Sequence, residues 1–234
     1  MVIRPAGMRE RSFYFILSLV IAAVVASGFS QTVDKNLLHP SIPVPHILYF
    51  HAAIFTAWVL LFILQTALIR TRQVRLHRQV GACGLALGVT LVIVGVATAI
   101  AMARFRTQHG STNAASFLAI PLYDMVQFAI FFGLAIAWRK TPEFHRRLMF
   151  VATCGLAAAA FGRLIPDDAP DQLVYVGADA LILLGAGRDW LVGKRLNPVY
   201  LYGLPGIIAG QSIAMYLYLG KGSIWLSIAH KLID

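Results

Sequence analysis

Long apolar stretches alternate with short polar segments along the whole chain. Each stretch approaches the roughly 20 residues that a helix needs to cross a hydrocarbon core of about 30 Å. A closed β-barrel would show segments of about ten residues with alternating polarity, and that pattern is absent. The sequence predicts an all-α, polytopic membrane bundle of about seven transmembrane helices, a single integral membrane domain over residues 1–234, with helices at about 13–29, 47–69, 80–103, 115–138, 148–165, 172–188 and 199–219.

Composition and charge placement support the membrane environment. Hydrophobic residues make up 59% of the chain, charged residues 13%, and the mean hydropathy is +0.73. The net charge of +10 could suggest a nucleic-acid partner, but 14 of the 20 Lys and Arg lie at the N-terminus and in the second-to-third, fourth-to-fifth and sixth-to-seventh loops. By the positive-inside rule this distribution predicts a cytoplasmic N-terminus. Because the positive charge follows the loops on one side of the membrane, the sequence predicts no nucleic-acid partner. An alternative for the first segment is a cleaved signal peptide, with Arg4, Arg9 and Arg11 ahead of an apolar run.

Two basic segments share one pattern. Residues Arg70–Arg78 have the sequence RTRQVRLHR and residues Arg139–Arg147 the sequence RKTPEFHRR, and an apolar run follows each. Each segment carries a histidine, His77 or His145, just where the apolar run begins. The repetition predicts a duplicated helix pair, 2–3 and 4–5, with matched histidines at one membrane depth.

The paired histidines lead to a cofactor hypothesis. A b-type haem needs two neutral imidazoles that face each other from neighbouring helices, here the third and fifth. Arg78 and Arg146 would then lie close enough to pair with the haem propionates. The alternative is a basic collar in which the histidines and arginines bind lipid phosphates without any cofactor.

A second group of polar residues lies toward the other side of the membrane. At 1.5 Å per residue, His51 lies about 7 Å, Asp179 about 10 Å and Asp124 about 13 Å inside the helix boundaries. Ionisable groups inside a bilayer are costly unless paired, so we expect this group to meet in the bundle interior. It could form a divalent-metal site, a proton or solute pathway or a quinone pocket, or else a purely structural network. The metal ligands would be His51, Asp124 and Asp179, and the accompanying polar residues Arg163, Gln127 and Gln65.

Two resemblances accompany these residues. The histidines His77 and His145 resemble the third- and fifth-helix ligands of the ascorbate-dependent two-haem cytochromes b, which implies at most one haem because the fourth helix has no histidine. The motifs His51-x6-Trp58-x6-Gln65, Leu-His-Arg at 76–78 and His-Arg-Arg-Leu-Met at 145–149 are similar to those of a family of uncharacterised bacterial multi-pass inner-membrane proteins. The second resemblance implies location in the bacterial inner membrane without implying an activity.

These observations leave two hypotheses for function. The first is an electron-transfer protein with one haem b between the third and fifth helices and a quinone or other redox partner. The second is a non-redox protein, such as a transporter, a metal-dependent membrane hydrolase or an oxidase-assembly factor, which uses the His, Asp and Arg cluster. Motifs of soluble enzymes, such as a phosphate-binding loop or a His-Glu-x-x-His helix, are absent, and the sequence does not decide whether the protein is an enzyme or how many copies assemble.

Overall fold

The structure, a computed structural model, describes residues 8–166, 168–220 and 222–233, and its side chains from residue 12 onward. Arg4, which enters the N-terminal charge count, and Lys221 lie outside the described residues. The described part is helical and contains no strand, which confirms the all-α prediction. The helices are α1 (Met8–Ser30), α2 (Ile47–Arg70), α3 (Val74–Gln108), α4 (Ala114–Phe117), α5 (Ala119–Ala137), α6 (Pro142–Leu156), α7 (Ala158–Leu164), α8 (Val176–Gly193), α9 (Pro198–Gly220) and α10 (Ser223–Ile233), with a π-helical turn at Asp34–Leu38 and a 3-10 turn at Asp171–Tyr175.

Five helical segments among the described residues are long and apolar enough to cross a membrane. They begin at Ser12, Ile47, Val74, Ala114 and Pro142, and they correspond to the first five predicted helices. Helices α8 and α9 cover the sixth and seventh predicted segments but are not among the five, so the count of seven stays a prediction. Large apolar side chains such as Phe50, Leu60 and Ile93 are more than 60% exposed. In water such a surface would favour aggregation, whereas lipid is its natural environment.

Two antiparallel helix hairpins form the framework. Helices α2 and α3 are joined by a short turn at 71–73, and α5 and α6 by a short turn at 138–141, in line with the predicted duplication. The first turn closes through Arg72 in the left-handed region, at φ 64°, while the Gln73 amide donates to the Leu68 carbonyl. In the second, Pro142 occupies the first helical position, where its missing N–H costs nothing.

The basic segments meet at one end of the bundle, which we call the basic end. Aromatic residues in the first turns of α1 lie under arginines from the end of α2, the start of α6 and the end of α8. The pairs are Phe15 with Arg70, Tyr14 with Arg146 and Phe13 with Arg188, with guanidinium carbons 4.8, 5.8 and 5.2 Å from the ring centroids. The charge count placed these arginines on one side of the membrane. Their contacts with α1 show that they lie at one end of the bundle.

The fourth and fifth predicted helices are each divided. Helix α4 ends at Phe117, because Pro121 in the first turn of α5 has no N–H to donate to the Phe117 carbonyl. The fifth predicted helix is divided at Ala157. Its amide donates to the Cys154 carbonyl three residues back instead of four, and the poor helix former Gly155 lies nearby.

Helix α10 was not predicted from the sequence. It packs on α3 and α4 at the end of the bundle opposite the basic end, where Ala229 and Ile233 are buried. The Trp225 indole donates to the Ser116 carbonyl at 3.2 Å, and Arg104 donates to the Ile233 carbonyl at 2.7 Å.

Candidate functional site

His77 and His145 lie in the first turns of α3 and α6 and face each other at the basic end. Their ring centroids are 6.4 Å apart and their planes are inclined by 78°. Neither ring is fully buried. The hairpin turns create this arrangement, since each places a histidine one turn inside the helix that follows it.

Helix α5 fixes the tautomer of His145. Its Nδ1 lies 2.8 Å from the Ala135 carbonyl oxygen. A carbonyl can only accept, so Nδ1 carries a proton, and in the neutral ring Nε2 is the nitrogen with the lone pair. This is the arrangement that metal-binding histidines commonly adopt.

Helix α2 holds His77 through Gln65. The Gln65 amide satisfies its neighbours when its nitrogen donates to the His77 carbonyl oxygen, at 3.2 Å, and to the His77 Nδ1, while its oxygen accepts from the Gly81 amide at 3.0 Å. His77 Nδ1 is then an acceptor and the ring proton lies on Nε2. The two histidines therefore present different groups, a lone pair from His145 and an N–H from His77. Sequence reasoning had assigned Gln65 to the distant cluster, but it belongs to the histidine pair.

The arginines next to the histidines have partners of their own. Arg146 pairs with Glu143, whereas Arg78 is exposed on the surface of α3. The guanidinium group of Arg146 therefore belongs to an ion pair within the protein, and Arg78 is the better candidate partner for a propionate.

A buried ion pair, which sequence reasoning missed, lies beside this site. Arg147 donates from Nε to Asp189 Oδ2 at 2.6 Å and from Nη2 to Oδ1 at 2.8 Å. Its Nη1 donates to Glu143 Oε2 at 2.7 Å. The side chains of Arg147 and Asp189 are only 7% and 4% exposed. The sequence pattern that could have predicted this pair is an arginine and an aspartate at the same end of two apolar helices, α6 and α8.

The three residues predicted to bind a metal have separate partners. His51 stacks on Phe55 with ring centroids 4.0 Å apart. Asp124 accepts from the Tyr175 hydroxyl at 3.3 Å, and Asp179 accepts from Gln211 Nε2 at 2.9 Å. In the described part of the chain, no three His, Cys, Asp or Glu side chains are placed to hold one ion. The predicted triad is therefore not assembled, because tyrosine and glutamine donors satisfy its carboxylates.

The other polar residues predicted for this cluster are divided in the same way. Arg163 donates to Thr32 Oγ1 at 3.1 Å, and its guanidinium carbon lies 4.2 Å from the Phe29 ring centroid. Gln127 is buried against Gly155, and its Nε2 has no partner among the described atoms.

The fold and these two polar regions define an all-α bundle of the membrane-protein class. No family model, curated protein or solved structure matches the chain. A function must therefore be argued from the residues themselves, and the histidine pair is the site with the clearest chemistry.

Proposed function

We propose that the protein is a b-type-cytochrome-like electron carrier of the bacterial inner membrane, with one haem held between α3 and α6 by His77 and His145. The observation that supports this is the 6.4 Å separation of the ring centroids. When two imidazoles bind a metal ion from opposite sides, each through a nitrogen about 2 Å away, their ring centroids lie about 6 Å apart. Bound haem would supply a reversible one-electron iron couple.

The ring nitrogens fit this role unequally. His145 already holds its Nδ1 proton on the Ala135 carbonyl and presents Nε2. His77 would bind iron in the tautomer that carries the proton on Nδ1, and Gln65 must then turn its carbonyl oxygen toward the ring. Gln65 is thus the residue that sets the proton position on His77, and α2 becomes part of the site.

The surroundings favour a negatively charged group at the basic end. Arg78 is the candidate partner for a propionate, while Arg146 and Arg147 are bound to Glu143. The basic end faces the cytoplasm in this proposal, in accordance with the positive-inside rule. A membrane quinol or an external donor would approach from the opposite end, near His51, Asp124 and Asp179. The resemblance to two-haem cytochromes b supports the haem, and the resemblance to bacterial inner-membrane proteins supports the location alone.

A reduced-minus-oxidised visible spectrum of the detergent-purified protein tests the haem. We expect a Soret and an α band that are lost in both His77→Ala and His145→Ala and kept in His46→Ala, an exposed histidine that serves as the control. A colourless wild type produced with ample haem, or bands that survive both variants, would rule the proposal out.

The role of Gln65 has its own readout. In Gln65→Glu a carboxylate would accept from His77 Nδ1–H, raise the basicity of the ring and lower the midpoint potential of the iron. Gln65→Leu removes this partner, and we expect it to raise the potential instead. Potentials that are equal in all three proteins would show that Gln65 does not act on the ligand.

A second candidate function is a non-redox one that uses individual buried polar atoms of α2, α3 and α5. Its support is that His51 Nδ1, Thr98 Oγ1 and Gln127 Nε2 are buried without partners among the described atoms. Buried polar atoms of this kind commonly bind water or a polar ligand. Metal analysis of colourless protein tests it: bound metal that is lost in His51→Ala would support it, and metal-free wild type would count against a metal role.

A further inference from the structure

A cavity of about 300 Å³ opens at the basic end, and neither His77 nor His145 lines it. It lies between the last turn of α8, the loop before α9 and the side chain of Arg147 on α6. Lys194, in the left-handed region at φ 51°, ends α8 and turns the chain around the cavity. The residues that line it are Arg147, Arg188, Asp189, Val192, Gly193, Arg195, Leu196, Asn197 and Pro198.

The lining is positively charged. Arg147, Arg188 and Arg195 line the cavity together with one carboxylate, that of Asp189. Arg147 donates to Asp189 and Glu143, so Arg188 and Arg195 are the candidate donors to a ligand. Arginine presents a planar fork of N–H donors that suits the oxygens of phosphate. The charge and shape of the donors therefore favour a phosphate-bearing anion.

The site is held in place before any ligand arrives. Asp189 accepts two hydrogen bonds from the buried Arg147 and a longer one of 3.4 Å from Arg188. Arg188 also stacks on Phe13 at 5.2 Å. The floor of the cavity is thus an ordered ion-pair network on three helices, which reduces the entropic cost of binding.

The position of the cavity indicates the source of the phosphate. It opens where the basic segments meet, which is the level of lipid head groups if the bundle spans a bilayer. Val192 and Leu196 form an apolar part of the wall and are 71% and 40% exposed. An apolar wall beside three arginines suits a glycerophosphate whose acyl chains remain in the membrane.

We propose that this cavity binds the phosphate group of an anionic lipid. The inference does not depend on a haem, since it involves neither His77 nor His145. Free phosphate shares the recognition chemistry, and the experiment separates the two sources.

The test measures lipid binding to full-length, detergent-purified protein by native mass spectrometry, with phosphatidylglycerol, phosphatidylcholine and inorganic phosphate as probes. Arg195→Gln removes one lining charge, and we expect phosphatidylglycerol to bind about fivefold more weakly, the effect of one basic residue at a membrane surface. Gly193→Leu adds a bulky side chain at a residue that lines the cavity, where a Cβ has open space around it. We expect it to abolish the bound lipid.

Matched variants supply the controls. Arg75→Gln removes an exposed charge at the same end but outside the cavity. Gly206→Leu adds the same bulk at another glycine with open space. Both should keep wild-type affinity, and melting curves should show all four variants folded.

Lipid binding to the wild type and the four variants distinguishes a lipid site from a phosphate site and from no site. Phosphatidylglycerol that binds in preference to phosphatidylcholine, binds more weakly in Arg195→Gln, is lost in Gly193→Leu and is unchanged in both controls supports a lipid site. Inorganic phosphate that binds as tightly as the lipid overturns the lipid source in favour of free phosphate. Equal losses in Arg75→Gln and Arg195→Gln, or no selective binding by the wild type, overturn the cavity as a site.

Discussion

The ion pair between Arg147 and Asp189 makes the most quantitative prediction. Asp189→Asn keeps the shape of the side chain but removes its charge, and it sets an N–H against the donors of Arg147. Two hydrogen bonds, at 2.6 and 2.8 Å, join the pair. Bonds to charged groups contribute about 1.5 to 3 kcal/mol each, and breaking a buried pair costs about 3 to 5 kcal/mol. Because Glu143 still compensates Arg147, we expect a loss of about 3 kcal/mol.

The measurement is the apparent free energy of unfolding in mixed detergent micelles. The control is Asp34→Asn, which removes an exposed carboxylate bonded to His39 at 2.8 Å, where the loss should stay below about 1 kcal/mol. The double variant Arg147→Met with Asp189→Leu replaces the pair by apolar groups and should recover most of the stability. If Asp189→Asn costs no more than Asp34→Asn, the buried pair does not stabilise the bundle as argued.

Three further substitutions test the packing, each followed by its melting temperature in detergent. Gly28→Ala should lower it by several degrees, because the new Cβ would lie about 2.9 Å from main-chain atoms of α7, whereas Gly206→Ala has open space and should not. Trp225→Ala should cost about 2 kcal/mol, because α10 loses packing on α3 and α4. The control is Ile224→Ala, at a side chain 79% exposed. An equal loss in both variants would contradict the role of Trp225 in packing. Tyr175→Phe should cost about 1 kcal/mol, because it removes the donor to a half-buried aspartate of α5, and an unchanged melting temperature would show that the bond is dispensable.

Much of the fold could be predicted from the sequence because the signals were local. An apolar run of sufficient length specifies a helix in lipid without reference to its neighbours. The juxtaposition of His77 and His145 could be anticipated for the same reason, since each follows a basic turn at the start of a helix. The break before α5 was not predicted, although its cause, Pro121, is local. Helix α10 was missed because its apolar residues are too few for a span.

The parts that escaped prediction depend on which helices are neighbours. His51, Asp124 and Asp179 share a depth band, but depth says nothing about the direction of a side chain around the helix. Their partners are on other elements, such as Gln211 of α9, which accounts for the unassembled triad. Arg147 and Asp189 are 42 residues apart, and only packing of α6 against α8 identifies them as a pair.

That separation along the chain has a consequence for biogenesis. The hairpins α2–α3 and α5–α6 close through short turns and can form as soon as each pair has been synthesised. Arg147, however, obtains its buried aspartate only when α8 has entered the bundle. Until then Glu143 is the carboxylate that compensates the charge of Arg147. Helix α8 therefore fixes the position of a helix made well before it, and arrest of synthesis ahead of α8 would leave α6 poorly anchored.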